Sequence, residues 1–449
     1  MSTKIDRLWL EFPKIVDVLK QYHGKVNPTL EVPLEEYKRR QEAVIRALEA
    51  KGCSVGFVFS DEHYCGDVPY LGGNTNITIE QVAGAIGKTG FHIIAGLEGG
   101  YVAEQLAQRA DATVHKVELL QLADEIYPVK AEKLEDVLEL AAGKKVDKIA
   151  LLTPRQIIPA SIVEYLTNLV GTDKVVDAQE LYQKIKYEKS DIEMKLTRNA
   201  ATIADAMMEG MVRVLKPGML ETEVASWAYF IARQLGSEED GFKVMVGANT
   251  ANRTLIGPAR NREIQKGDYV HLGVAPKRDG LNACIRRSVV AVTSPEKLSE
   301  DQKYWFYFIE EAYKSAFFKF VQVAAKELPA KEHEQALINY FTSKSKEVSE
   351  KFGKEIKLES LKPYTGTHNS GYTECQEFCG AITLNSEEPL GNQIVMMLDV
   401  ALRGFGDVTE EDIIPGLDFI VIENTLGKFG NKVITFNELP LNCQFLVGK

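Results

Sequence analysis

Cysteine is scarce in this chain: six residues in 449. Cys53, Cys65, Cys284, Cys375, Cys379 and Cys443 follow no regular framework, which suits reduced thiols and excludes a small disulfide scaffold. Cys375 and Cys379 are close in sequence, but no second close pair completes a zinc knuckle. Positive charge is also in deficit, with 53 Lys and Arg against 64 Asp and Glu and a formal net charge of −11. That balance excludes a general affinity for nucleic acid or for an anionic membrane, because phosphate binding needs a concentrated basic face. No apolar run approaches the ~20 residues needed to cross a bilayer. The opening MSTKIDRLWLEF places charges where a signal peptide would be uninterrupted, so the expected location is the cytosol.

What is present is ordinary globular material, 45% hydrophobic and 26% charged, in a chain long enough for two domains. From Leu34 the text EEYKRRQEAVIRALEAKG has apolar residues at helical spacing and stops on Gly52. SVGFVFSD then reads as a short buried strand, and strand-like and helix-like segments alternate as far as SIVEYLTNLVG. This pattern predicts an α/β domain over 1–185. The remainder, 186–449, reads as α+β. It begins with a long helix stopped by Pro217-Gly218 and a second helix ended by Gly236. Strands follow, then a helical pair over Lys303–Leu328 and Lys331–Phe352, and then the strands IVMMLDVAL and GLDFIVIENTLG.

Several segments, in order, resemble the creatinase, aminopeptidase P and prolidase family, whose catalytic domain has the pita-bread fold. KSDIEMKLTRNAATIADAMMEGMVRVLKPGMLETEVA is similar to the family's opening helix and its Lys-Pro-Gly-Met turn. GDYVHLG and CIRRS resemble its two Asp-bearing strands, PYTGTHNSGYTEC its His-bearing segment, and MMLDVAL its strand ending in Glu-Pro. VFSDEHYCGDVPYLGG resembles a turn of the family's N-terminal domain. The resemblance implies an α/β N-terminal domain plus an α+β pita-bread C-terminal domain, and a homodimer in which the loop around Tyr70 reaches the partner's pocket.

Active members hold two divalent ions with two Asp, one His and two Glu. Carboxylates that bridge such ions activate a water and offset the four positive charges. Carried onto this chain, the five places fall on His271, Cys284, His368, Asp399 and Asp418, so that four ligands differ. A further family histidine falls on Ile256 and another on Cys375, which is taken as a substrate contact. Arg286 occupies the place of a threonine and is expected to reach a substrate carboxylate, while Arg287 is expected to form a structural ion pair.

Three readings follow from these departures. The leading one is a creatinase-like hydrolase or lyase, with no metal or other cofactor, acting on a small amino-acid-like or amidine-like substrate. His368 or His271 serves as general base with Asp399 or Asp418 orienting its ring, and Cys284 is a nucleophile activated by His271. The second is a single zinc or iron ion on His271, Cys284, His368 and Asp399. The third is a binding module without turnover.

Overall fold

The protein is described by a computed structural model over residues 4–75, 81–121, 130–248, 253, 256–294, 297–373, 380–408 and 410–449. In chain order the elements begin with α1 (Lys4–Tyr22), α2 (Leu34–Ala50), β1 (Val55–Ser60), α3 (Asp67–Gly72), β2 (Val82–Gly87) and β3 (Gly90–Ala95). They continue with α4 (Gly99–Ala107), β4 (Thr113–Lys116), α5 (Leu134–Ala142), β5 (Ile149–Leu151), α6 (Ala160–Val170), β6 (Val175–Asp177) and α7 (Gln179–Tyr187). The second half contains α8 (Asp191–Val214), α9 (Glu221–Gln234), β7 (Met245–Ala248), β8 (Tyr269–Val274), β9 (Lys277–Arg278), β10 (Leu281–Asn282) and β11 (Ile285–Val290). It closes with α10 (Glu300–Lys326), α11 (Lys331–Phe352), β12 (Thr367–Asn369), β13 (Gln393–Arg403), β14 (Phe419–Phe429) and β15 (Lys432–Thr435).

Two compact units result. One holds Glu31–Glu188 with Gly371–Phe378, and the other holds Met1–Leu30, Lys189–Ser370 and Cys379–Lys449. The first thirty residues therefore belong with the C-terminal half, unlike the division at 185 expected from sequence. Their helix α1 explains the difference, because Ile15, Val18 and Tyr22 stand one turn apart and are buried in the same apolar cluster as Met207, Met211 and Ile231 of α8 and α9.

The N-terminal unit is a mixed sheet in the order β4-β3-β2-β1-β5-β6, antiparallel across β1, β2 and β3 and parallel elsewhere. Phe57, Ile94, Leu151 and Leu138 lie in its core. The α/β class is as expected.

In the C-terminal unit, α8 starts on a reciprocal cap. Ser190 accepts from the Glu193 backbone, and the Glu193 carboxylate accepts from the Ser190 backbone at 2.8 Å. Its sheet runs β12-β13-β14-β11-β8-β7, antiparallel throughout, with β15 paired to β14. Side chains alternate between faces along each strand, so residues in register on neighbouring strands form rows on one face. The chain has no helix, among the described residues, long and apolar enough to cross a membrane.

Candidate metal centre

Strand register determines which groups meet. Asp399 pairs with Glu423, Glu423 with Arg286, and Arg286 with Gly273, giving one row across β13, β14, β11 and β8. The adjoining row runs from His368 through Met397 to Thr425, whose hydroxyl accepts from the Cys284 backbone at 2.9 Å. His271 stands opposite Ser288 two residues along the other way. Gly273 has a packing reason to lack a side chain: a Cβ there would come within 3.1 Å of Met245 Sδ and 3.2 Å of Arg286 Cγ. The glycine makes room for the arginine stem.

Arg286 is the hub. Its Nε donates to His271 Nε2 at 3.0 Å, and its Nη1 donates to Asp399 at 2.7 Å and to the Tyr364 hydroxyl at 2.8 Å. Glu423 Oε2 lies 3.7 Å from Nε. The guanidinium is buried and its positive charge is strengthened by Tyr364, Asp399 and Glu423 in spite of that burial. Arg286 was expected to reach a substrate carboxylate; it is committed instead to protein groups. His271 is held neutral, because burial and the adjacent guanidinium push its pKa well below the ordinary value. With Nε2 accepting, its ring proton is on Nδ1, and the ring meets Phe419 edge-on at 5.1 Å.

The carboxylates are set apart by their neighbours. Burial raises the Asp399 pKa to about 7, with Arg286 opposing and Glu423 adding to the rise. Glu423 is buried just as deeply, but the approach of His368 and the guanidinium outweigh burial and hold its pKa below the ordinary value. Cys284 Sγ donates to Glu423 Oε2 at 3.3 Å. The thiol therefore faces a carboxylate, not the imidazole of His271 that was expected to activate it.

His368 Nδ1 faces the Asn369 carbonyl oxygen at 3.2 Å and acts there as donor, since a carbonyl oxygen can only accept. Its Nε2 points at Glu423 Oε1, 3.3 Å away. That oxygen is buried and accepts no hydrogen bond from the described residues. A positive charge is favoured between these atoms, either a proton held by Nε2 towards the carboxylate or a cation bound to both. His368, Asp399 and Glu423 each offer one ligand atom, and these atoms lie within 4.8 Å of one another. One imidazole and two carboxylates suit a divalent cation of hard or borderline character.

Residues 195–377 match Metallopeptidase family M24. Over that stretch the chain resembles the creatinase, aminopeptidase P and prolidase family. A Xaa-Pro dipeptidase of Pyrococcus horikoshii is 26% identical over 237 residues, 53% of this chain and 64% of that protein. An uncharacterized peptidase of Bacillus subtilis is 22% identical, over 50% of this chain and 62% of that protein. The aligned stretch thus spans less than two thirds of either curated relative. Solved structures share the fold over most of the chain, an N-terminal domain followed by a pita-bread domain. A Xaa-Pro dipeptidase from Bacillus anthracis has a TM-score of 0.68 at 17% identity, covering 91% of this chain and 99% of its own. An X-Pro aminopeptidase from Thermotoga maritima has a TM-score of 0.70 at 16% identity, covering 90% and 99%.

These findings overturn the expectation of a pocket without a cofactor: the matched family is one of metallopeptidases, and three buried donors converge as an ion would require. The donor set also differs from the expected zinc or iron ligands, since His271 Nε2 is engaged by Arg286 and Cys284 lies behind Glu423.

Three further expectations are corrected by position. Asp418 lies just before β14, half-way to solvent, where it pairs with Arg253 at 2.7 Å. The carboxylate that meets His368 and Asp399 is Glu423, five residues on. Tyr70 lies on the buried helix α3 and not on an exposed loop, packed within its own unit against Arg40 at 4.3 Å and edge-on to Tyr182 and Tyr372. Among the described residues Arg287 forms no ion pair; it donates to the carbonyls of Pro440, Arg286, Glu423 and Leu439 and to the Asn424 side chain. Cys375 lies outside the described residues, and Ile256 is 65% exposed.

Proposed function

We propose that this chain hydrolyses a C–N bond in a small peptide-like substrate with the help of a divalent cation held by His368, Asp399 and Glu423. The observation that supports this most is the convergence of those three buried donors, His368 within the stretch that matches a metallopeptidase family. The relatives named as Xaa-Pro dipeptidases make short peptides the first substrates to try. A bound cation of this kind polarises a carbonyl oxygen and lowers the pKa of water.

The chain's own groups do the rest. Arg286 and Tyr364 hold the Asp399 carboxylate from two sides, at 2.7 and 3.3 Å. The Asn369 carbonyl fixes the His368 ring so that Nε2 faces the carboxylates. Burial of all three donors keeps the local dielectric low, which strengthens each electrostatic contact. The reading includes a small-molecule substrate, a homodimer and no nucleic-acid partner, in keeping with the charge of −11.

The test is a panel of Xaa-Pro dipeptides and small amidines, assayed with Mn²⁺ added and after chelation. Cation-dependent release of product from a dipeptide is the expected result. Absence of turnover from every member of the panel by the Mn²⁺-loaded protein would favour a binding module and overturn the hydrolase reading.

A further inference from the structure

We infer that Arg286 is a built-in positive charge that takes the place of a second ion, so that the centre binds one divalent cation and stays folded without any. This deepens the proposed function and rests on its ion site. Asp399 and Glu423 face each other across β13 and β14, and neither is open to solvent. Two buried carboxylates side by side repel and are offset by positive charge, from a metal ion or from the protein, or by a proton on one of them.

Arg286 supplies that charge from the next strand in the same row. It makes a 2.7 Å bond to Asp399, stands 3.7 Å from Glu423, and is anchored at the back by His271. The support is specific. Gly273 leaves space for its stem, and a neutral His271 accepts from Nε where a carboxylate would have attracted an ion. The side of the cluster towards β8 and β11 is thereby occupied by a guanidinium, which repels a cation. The side towards β12 retains His368 Nε2 and Glu423 Oε1, 3.3 Å apart. His271 and Arg286 act as positioning residues, setting the number of ions and not the chemistry.

The experiment measures Mn²⁺ per chain by elemental analysis after equilibrium dialysis, and the thermal midpoint with and without Mn²⁺, for the wild-type protein, Arg286→Met and Arg286→Lys. Wild type is expected to hold one ion and to have a midpoint that chelation lowers little. Arg286→Met loses the fixed charge, so its chelated form melts earlier and its gain in midpoint on adding Mn²⁺ is at least about threefold that of wild type. Arg286→Lys keeps the charge and one ion, and it carries the test if the methionine variant does not fold. Two ions in wild type, or the same Mn²⁺ gain in wild type and Arg286→Met, would overturn the inference. Mn²⁺ bound by none of the three proteins would overturn it together with the ion site. One bound ion without turnover would count against the hydrolase reading alone.

Discussion

Each unit buries a charged cluster beside its sheet, and the two clusters are balanced differently. In the N-terminal unit Asp67 and Lys186 meet at 2.5 Å with each side chain 1% exposed, while Thr153 donates to the second carboxylate oxygen and Tyr182 to the Asp67 carbonyl. One acid is matched by one base, and both carboxylate oxygens have a donor. In the C-terminal unit two carboxylates share one guanidinium, and one carboxylate oxygen is left facing an imidazole nitrogen. The first arrangement is complete as it stands. The second sets two acids against one guanidinium, and its second acid faces an imidazole to which either a proton or a cation can link it.

The largest expected effect comes from breaking the balanced cluster. Lys186→Met leaves Asp67 buried without its base and should destabilise the protein by ~3–5 kcal/mol, read by denaturant unfolding. Mn²⁺ affinity should not move. A parallel loss of Mn²⁺ binding would dissolve the distinction between the two clusters.

The next effect is on pH. His92 is buried in the N-terminal unit, bonded through Nδ1 to His115 at 3.0 Å, and burial lowers its pKa to about 4. Because the folded pKa lies below the unfolded value, the unfolded chain takes up the proton first, so stability is lost as pH falls from about 6.5 towards 4, by ~3 kcal/mol in full. His92→Gln should flatten that decline in melting curves taken between pH 7 and 4.5. An equally steep decline in the variant would show that another group is responsible.

Glu423→Gln tests the excess acid directly. It should weaken Mn²⁺ binding by about 100-fold, or ~2.7 kcal/mol, by isothermal titration, and leave the chelated protein at least as stable as wild type, since one carboxylate then faces one guanidinium. A large drop in the stability of the chelated variant would contradict this charge accounting. The smallest effect belongs to Asp418→Asn, which breaks a partly exposed pair with Arg253 and should cost under ~1 kcal/mol with Mn²⁺ binding unchanged.

Helix periodicity made much of this architecture legible. Helices α8 to α11 end within about three residues of where the sequence places their ends, because Pro217-Gly218 and Gly236 are strong local stops. Helix α1 was missed as a packing element, since its spacing of Ile15, Val18 and Tyr22 acquires meaning only once α8 and α9 offer a matching face. In the site, His271, Cys284, His368 and Asp399 could be located from the order of segments. Glu423 was passed over for Asp418, although a glutamate inside FIVIENTLG is the stronger signal: an acid in the middle of an apolar strand has to find a partner, whereas one beside a turn can face water. The role of Arg286 was not legible, because it depends on which strands become neighbours, and that is decided by long-range pairing.

The row Asp399, Glu423, Arg286 and Gly273 also bears on how the sheet assembles. A slip of one position between β14 and β11 would turn the guanidinium away from both acids and strand the three charges in an apolar interior. The cluster therefore works as a key cut for a single alignment, so the groups that would hold an ion also proofread the folding of the strands that carry them.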